Sequence, residues 1–295
     1  MSTPAVDLSF IAEWPVPNAS ATVIDAGGAQ VAAAGDQAKV YDLASVTKLL
    51  SAYGILIAVE EGIFELATPL PLGGESSAQA NDAAPADPAA PTATVRQLLC
   101  HASGVRFASR EPEKQPGERR IYSSAGYEIL ADAVARESGI PFPDYLREAV
   151  FEPLGMRTAE LRGSAGHGAV ASAQDLEAFA REVLHPTLLD PSTLDEATTC
   201  QYPELNGVVP GYGMQKPCPW GLGFEIKGAK RPHWTGERMP EGTIGHFGQS
   251  GTFLWLHRAT GRAMLALTDR PFAEWAKEYW AGNNDAVWAQ LASGD

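Results

Sequence analysis

Residues 43–50 read Leu-Ala-Ser-Val-Thr-Lys-Leu-Leu, and they place a serine and a lysine three positions apart at the start of a very apolar stretch. The residues that follow are hydrophobic on all sides, which predicts a buried helix from Ser45 to about Glu61. On a helix, residues i and i+3 share a face, so we expect the Lys48 amine beside the Ser45 hydroxyl. The first helical turn would also offer backbone N–H groups to an anion that forms at Ser45.

A serine beside a lysine is a combination that can provide a nucleophile and the base that activates it. A serine hydroxyl is a weak nucleophile at neutral pH and needs a neighbouring base. A lysine serves as that base only where burial or nearby cations keep part of it neutral, and the apolar residues after Lys48 would provide the burial. Short motifs also arise by chance, and the alternative is that Ser45 caps a core helix while Lys48 is solvated. Ser-x-x-Lys occurs once in the chain.

The composition is that of a globular protein without nucleic-acid or membrane partners. The chain has 295 residues, of which 45% are hydrophobic, enough for one large domain or two closely packed ones. A net charge of −14 would repel nucleic acid and anionic membranes. No stretch of about 18 apolar residues predicts a membrane span. Residues 1–17 lack the pattern of a signal peptide, so we expect a cytoplasmic enzyme.

The sequence predicts neither a metal nor a cofactor. Cys100, Cys200 and Cys218 are scattered, without a Cys-x-x-Cys pair or paired histidines, so a disulfide framework and a zinc site are not expected. His-x-x-x-His and Gly-x-Gly-x-x-Gly motifs are missing from the sequence as well. A conventional α/β-hydrolase is disfavoured because its Gly-x-Ser-x-Gly pentad does not occur.

The predicted elements follow the order hairpin, helices, strands, final helix. Two strands at residues 21–25 and 30–34 flank a glycine turn, and residues 73–91 are predicted to be a surface loop. After the buried helix, further helices are predicted from Thr94 to about His101, from Ser123 or Ser124 to Glu137, at 144–150, at 172–184 and at 191–199. Strands are predicted at 220–226, 243–246, 251–257 and 262–268, and a last helix at 272–291.

This order predicts an α+β protein whose antiparallel sheet is built from both chain ends and flanked by helices, with a mainly helical middle region. The sheet region would comprise residues 1–60 and 205–295, and the helical region residues 61–204. Together they would form one compact catalytic unit with the active site between them.

Two further motifs follow the Ser-x-x-Lys pair. Residues 122–128 read Tyr-Ser-Ser-Ala-Gly-Tyr-Glu just before a predicted helix, and residues 245–251 read Gly-His-Phe-Gly-Gln-Ser-Gly at the head of a strand pair. Taken singly, these are a core tyrosine with a serine cap and a glycine-rich strand entry. In the order Ser-x-x-Lys, Tyr-Ser-Ser, His-x-Gly, the chain resembles the serine β-lactamase-like family, which includes class C β-lactamases, penicillin-binding proteins and family VIII esterases. Residues 98–105, 151–156, 168–172 and 220–223 resemble it too.

The resemblance implies a β-lactamase/transpeptidase-like fold and a role for each matching residue. Ser45 would attack a carbonyl and become acylated, and Lys48 would accept its proton or hold it in a shared network. Tyr122 would pass a proton to the leaving group and then help to activate the deacylating water. The backbone N–H groups of Ser45 and Gln249 would form the oxyanion hole.

The residues expected to contact substrate are Ser124, His246, Phe247 and Gly248, and two motifs here depart from the family pattern. Ser124 stands where the second motif usually has Asn, so its contacts to Lys48 or to a substrate amide are expected to be weaker or to pass through water. His246 begins the third motif in place of the usual Lys-Thr-Gly, and a mostly neutral histidine is a weaker anchor for a β-lactam carboxylate.

These features predict a serine hydrolase that acts through an acyl-enzyme on a small ester or amide, with at most weak β-lactamase activity. One alternative is a dedicated β-lactamase or D-amino-acid peptidase. Another is a catalytically silent member of the fold that binds a ligand or a partner protein, which Ser124 favours and the intact Ser45, Lys48 and Tyr122 oppose. No motif indicates the acyl group, the leaving group or the oligomeric state.

Overall fold

The computed structural model describes residues 6–73 and 90–293, so the predicted loop at 73–91 lies almost wholly outside the described residues. The helices are α1 (Thr47–Glu60), α2 (Val95–Leu99), α3 (Ala125–Ser138), α4 (Phe142–Leu146), α5 (Ala173–Leu184), α6 (Pro191–Ala197) and α7 (Glu274–Ala292). The strands are β1 (Ala19–Ile24), β2 (Gln30–Ala34), β3 (Val40–Asp42), β4 (Pro69–Pro71), β5 (Thr92–Thr94), β6 (Glu160–Leu161), β7 (Ala169–Ser172), β8 (Gly207–Val209), β9 (Gly213–Gln215), β10 (Glu225–Ile226), β11 (Ile244–Gly248), β12 (Thr252–His257) and β13 (Arg262–Thr268). Single turns of 3₁₀ helix lie at Ser9–Glu13, Ala44–Val46 and Arg258–Thr260, and a π turn at Arg147–Phe151.

A six-stranded antiparallel sheet in the order β10-β11-β12-β13-β1-β2 forms the centre of the fold. Strand β1 pairs along its length with β13, from Ala19 opposite Thr268 to Ile24 opposite Ala263. The predicted α+β fold with a sheet from both chain ends is thereby confirmed. All residues of β13 are buried, since helices cover the sheet: α5 packs against β1, β12 and β13, and α7 contacts β12.

Three small sheets, which the sequence analysis did not predict, lie outside the central sheet: β3-β7-β6, β4-β5 and β8-β9. Their strands have two to four residues, too few to show a period-two pattern. The pairing of β3 with β7, with Asp42 opposite Val170, ties the chain just before Ser45 to the segment after Gly166. The division into residues 1–60 with 205–295 and residues 61–204 stays a prediction.

The helix predicted from Ser45 is present, but it begins two residues later. α1 starts at Thr47, and Ser45 lies on the 3₁₀ turn Ala44–Val46 that precedes it. Every residue of α1 from Thr47 to Ala58 is buried, as the all-round hydrophobicity predicts. Within residues 6–73 and 90–293, none of the helices is long and apolar enough to span a bilayer.

The predicted strand at 220–226 is wrong except for its last two residues. The Gly221 N–H donates to the Phe224 carbonyl at 2.8 Å, and Trp220 bridges back to Glu225, so the chain turns here. Gly223 adopts φ +97°, and a Cβ there would lie 2.2 Å from the Ala52 Cβ of α1. The glycine therefore lets the turn press against the helix that follows Ser45.

The other helix predictions differ mainly at their ends. Thr94 and Ser172 form the capping boxes of α2 and α5. At α3, Ser124 occupies the cap position without a side-chain bond, and the Gly126 N–H instead donates to Ser123 Oγ at 2.9 Å. The helix predicted at 144–150 is α4, which starts earlier, followed by the π turn Arg147–Phe151.

Candidate active site

Ser45 lies half-buried at the edge of a cavity of about 290 Å³. The residue before it, Ala44, has φ +44°, in the left-handed region that non-glycine residues seldom adopt. Strained backbone of this kind is held in place only by its surroundings and is frequent at functional sites. The turn therefore depends on the elements packed around it.

Strand β11 packs directly on this turn. A Cβ at Gly248 would lie 2.3 Å from the Leu43 carbonyl oxygen, so only glycine lets the strand approach this closely. The same carbonyl accepts a hydrogen bond from Thr252 Oγ1 at 2.9 Å. The contact brings Gln249, the next residue of the chain, to the wall of the cavity that Ser45 also lines.

Lys48 is completely buried in the first turn of α1. Its Nζ donates to Ser124 Oγ at 3.0 Å and to the Gly166 carbonyl at 2.7 Å. The contact between Ser124 and Lys48 is therefore direct and does not need a water molecule, while the expectation that it is weaker than that of an Asn stays a prediction. The hydroxyl is close enough because the loop around Gly166 packs tightly on the start of α3: a Cβ at Gly166 would lie 2.7 Å from the Ser124 Cβ.

The surroundings of Lys48 favour its neutral form. Burial lowers the pKa of Lys48 from 10.5 to about 7, and the charge of Glu128 only partly opposes this shift. The two groups that accept its hydrogen bonds are a hydroxyl and a carbonyl, neither of which carries a charge. Near neutral pH, an appreciable fraction of Lys48 is consequently a free amine with a lone pair.

Gly166 is a site residue that the sequence analysis missed. Its loop is fixed by two bonds, from Ser51 Oγ to the Ala165 carbonyl at 2.7 Å and from the Gly166 N–H to Ser164 Oγ at 3.1 Å. These bonds aim the Gly166 carbonyl at Lys48. The sequence does contain a glycine-rich run at 163–168, but that run alone does not indicate that one of its carbonyl groups contacts Lys48.

Tyr122 connects Ser45 with Lys48 and His246. Its phenol lies 3.4 Å from His246 Nε2 and close enough to the Ser45 hydroxyl for Ser45 to affect its pKa, while Lys48 Nζ is 4.5 Å from its ring centre. Burial raises the pKa of Tyr122, the Ser45 hydroxyl opposes this, and the charge of Glu225 adds to the rise. The phenol is therefore protonated at neutral pH and is suited to relay a proton rather than to act as a base.

His101 supports Tyr122 from behind. Its ring centre is 4.7 Å from that of Tyr122, and its Nδ1 accepts a hydrogen bond from the Ser123 N–H at 3.2 Å. Burial holds the pKa of His101 well below 6.5. Its φ of +60° places it in the left-handed region, at the turn that follows α2.

His246 is neutral in this setting. Burial lowers its pKa to about 4, and the charge of Lys48 acts in the same direction. Its Nδ1 lies 2.7 Å from the Phe247 carbonyl oxygen, which can only accept, so the proton resides on Nδ1. Nε2 then presents a lone pair towards Tyr122.

The predicted site residues thus fall into two groups. Those that line the cavity are Ser45, Tyr122, His246, Phe247 and Gln249. The others are not among the cavity-lining residues: Lys48 is hydrogen-bonded to Ser124, and Gly248 packs against the turn that carries Ser45. Among the residues that the structure describes, no group of three or more His, Cys, Asp or Glu side chains is placed to hold a metal ion.

A buried ionic cluster at the cavity was not predicted from the sequence. Glu225, which lines the cavity, has Lys230 Nζ at 2.8 Å and His233 Nε2 at 3.1 Å from its Oε1, and Trp234 Nε1 donates to its Oε2 at 2.8 Å. Burial alone would raise the pKa of Glu225, but Lys230 and His233 hold it far below its usual range. The carboxylate is therefore ionised.

Comparison with known proteins agrees with this geometry. A model of the Beta-lactamase family matches residues 10–286. The chain belongs to the beta-lactamase family. The predicted family and the predicted fold are confirmed.

Several relatives show how far the likeness extends. A solved beta-lactamase from Mycobacterium bovis is 45% identical, with a TM-score of 0.87 over 96% of this chain and 98% of that one. EstCE1, described as a hydrolase with promiscuous acyltransferase activity, is 16% identical (TM-score 0.76, 96% of each chain) and shares the fold. Penicillin-binding protein 4* of Bacillus subtilis is 28% identical over 142 residues, 39% of this chain. The match spans only 29% of the length of that relative.

Proposed function

We propose that this member of the beta-lactamase family is a serine hydrolase that acts on small esters or amides through an acyl-enzyme at Ser45. The observation that carries the proposal is the environment of Lys48, a completely buried amine whose hydrogen bonds go to a hydroxyl and a carbonyl and whose pKa is about 7. A general base works best when its pKa lies near the working pH.

In acylation, the proton of Ser45 passes into the network of Tyr122 and Lys48, and Lys48 is the group that holds it. A neutral amine has two N–H groups and one lone pair. Ser124 and Gly166 accept the two hydrogens, which leaves the lone pair for the proton. As Ser45 Oγ bonds to the substrate carbonyl carbon, the negative charge on the carbonyl oxygen would be stabilised by the backbone N–H groups of Ser45 and Gln249.

The leaving group departs with a proton that Tyr122 donates, and Tyr122 regains a proton from Lys48. The raised pKa of Tyr122 keeps the phenol protonated for this step. In deacylation, a water molecule gives its proton to the same network and its oxygen attacks the acyl carbon. The acid is released when the bond to Ser45 Oγ breaks and Ser45 takes back its proton.

A second candidate function, β-lactam hydrolysis, is favoured by the name of the 45% identical relative from Mycobacterium bovis. The neutral His246 argues against it, because an uncharged imidazole offers little to a β-lactam carboxylate. We therefore expect esters and amides to be turned over more efficiently than nitrocefin. Comparable kcat/KM values for nitrocefin and a 4-nitrophenyl ester would favour the β-lactamase instead.

Intact-mass measurement after treatment with a fluorophosphonate or penicillin tests the proposal. We expect one adduct on the wild type and none on Ser45→Ala. Ser250→Ala, which removes a half-buried hydroxyl five residues after Gly245, is the matched control and should keep the adduct. A wild type that gives no adduct at any reagent concentration would identify the protein as a catalytically silent binding module.

A further inference from the structure

The cavity beside Ser45 has apolar walls and one charged side chain. Its apolar lining residues are Phe107, Tyr122, Val209, Pro210, Trp220 and Phe247. Glu225 carries the one full charge among the described lining residues, because His246 is neutral. A substrate group that enters this cavity is thus surrounded by rings and aliphatic carbons next to a fixed anion.

The Glu225 carboxylate is held in one place. Its side chain is 1% exposed and is bonded by Lys230, His233 and Trp234. The charge reaches into the site: it adds to the rise that burial causes in the pKa of Tyr122, and at His246 it opposes the larger lowering by burial, with Lys230 acting against it. The effective dielectric constant inside a protein is much lower than that of water, so a buried charge such as this one is poorly screened.

The nearby lysines are not placed to receive a substrate anion. Lys230 Nζ donates to Glu225, to the Ile226 carbonyl at 2.7 Å and to the Pro219 carbonyl at 3.2 Å, and it is not part of the cavity lining. Lys48 Nζ donates to Ser124 and Gly166. An anionic group in the cavity would lose its hydration and face Glu225 without a cation of its own.

We propose that this cavity accepts an uncharged, apolar substrate group, aromatic or branched aliphatic, and that Glu225 is the residue that excludes carboxylates from it. The inference rests on the proposed acyl-enzyme function and specifies its substrate class. A like charge about 6 Å away, at the effective dielectric constant usual for proteins, corresponds to about 100-fold, and the paired Lys230 offsets part of this, which leaves about tenfold for Glu225. The hydration that a carboxylate loses in the cavity adds about another tenfold. Glu225 acts here on specificity and is not a catalytic residue.

Two matched substrate pairs test the proposal in the wild type. One pair varies the acyl side, with the 4-nitrophenyl esters of monomethyl glutarate and of glutarate; the other varies the leaving group, with methyl 4-acetoxybenzoate and 4-acetoxybenzoate. We expect at least one pair to show about a 100-fold preference in kcat/KM for the neutral member, after correction for the uncatalysed rates. Preferences below about threefold in both pairs would overturn the inference while leaving the hydrolase intact. A wild type that forms no adduct and hydrolyses neither neutral ester would overturn both proposals.

Variants assign the preference to its cause. Glu225→Gln should reduce the preference about tenfold, while Glu241→Gln, which neutralises an exposed carboxylate outside the cavity lining, should leave it unchanged. If Glu225→Gln does not fold, substitutions of the cavity-wall residue Phe107 test the electrostatic explanation instead. Phe107 is 55% exposed, so a polar side chain is expected to be tolerated there. Phe107→Arg should raise the relative rate of the anionic ester about tenfold over Phe107→Gln. Equal ratios in these two variants would contradict the electrostatic explanation.

Discussion

Two buried lysines of this protein, Lys48 and Lys230, lie in opposite electrostatic surroundings. Lys230 forms an ion pair with Glu225 at 2.8 Å. Lys48 bonds only to the Ser124 hydroxyl and the Gly166 carbonyl among the described residues, and its pKa falls to about 7. Burial alone therefore does not tell a structural cation from a base, because the partner of the amine decides between them.

An aromatic cluster lies between the two amines. Lys48 Nζ is 4.5 Å from the ring centre of Tyr122, and Lys230 Nζ is 5.3 Å from that of Trp220. The Tyr122 and Trp220 rings are themselves 5.9 Å apart, with His101 and His246 packed against both. One side of this cluster is thus suited to proton transfer, and the other side holds a fixed ion pair.

The largest effect should separate the two lysines by activity. Lys48→Met removes the proposed base, so kcat/KM for a 4-nitrophenyl ester should fall at least about 10³-fold. Lys230→Met, the matched substitution on the other side of the cluster, should keep the folded enzyme within about tenfold of the wild type. Circular dichroism establishes how much of each variant is folded. A Lys48→Met variant that retains more than a tenth of the activity would contradict the assignment of the base.

The second effect concerns stability, for which Lys230 should matter more than it does for activity. Lys230→Met leaves the Glu225 carboxylate buried without its main counter-charge, and breaking a buried pair in this way costs about 3–5 kcal/mol of unfolding free energy. Urea denaturation measures the loss. Replacing both partners, in Glu225→Gln with Lys230→Met, should cost less than Lys230→Met alone. If Lys230→Met costs no more than Lys114→Met, a substitution in an exposed ion pair, the comparison fails.

Hydrophobic patterns and short motifs predicted those parts of the fold and the site that depend on residues close to one another in the sequence. The apolar runs of β1 and β13 indicated a sheet from both chain ends. The apolar run after Ser45 and Lys48 predicted a buried helix at this point, and Lys48 lies in its first turn. Tyr122 and His246 were found only through the resemblance to a family. Their motifs are short and have ordinary structural readings.

Contacts between distant segments were beyond such patterns. The Gly166 carbonyl that accepts from Lys48 is 118 residues away in the chain. The direct bond of Ser124 to Lys48 was not foreseen because the sequence shows only the length of the side chain, whereas the missing side chain of Gly166 lets the two segments meet. The bonds of Glu225 form only when residues 227–235 fold back on β10, which no local pattern specifies.

The smallest expected effect is on the pH dependence of the unfolding free energy, and it tests whether Lys48 is neutral in the folded protein. The pKa of Lys48 is 10.5 in its ordinary state and about 7 in the folded protein. Between these values the unfolded chain binds a proton that the folded protein does not, so the contribution of Lys48 to the unfolding free energy rises with pH, by roughly 1 kcal/mol per pH unit. Below pH 7 both states are protonated, and the cost of burying the charge is present in full.

Lys48→Met isolates this contribution above pH 7, because the two histidines whose pKa depends on the charge of Lys48, His101 and His246, are neutral in the folded protein throughout that range. The unfolding free energy of the wild type minus that of the variant should increase between pH 7 and pH 10 and level off below pH 7. Urea denaturation of both proteins at pH 6, 8 and 9.5 measures it. A difference for Lys48→Met that stays constant from pH 7 to pH 10 would mean that Lys48 remains a cation when buried, and then it has no lone pair to accept the proton of Ser45.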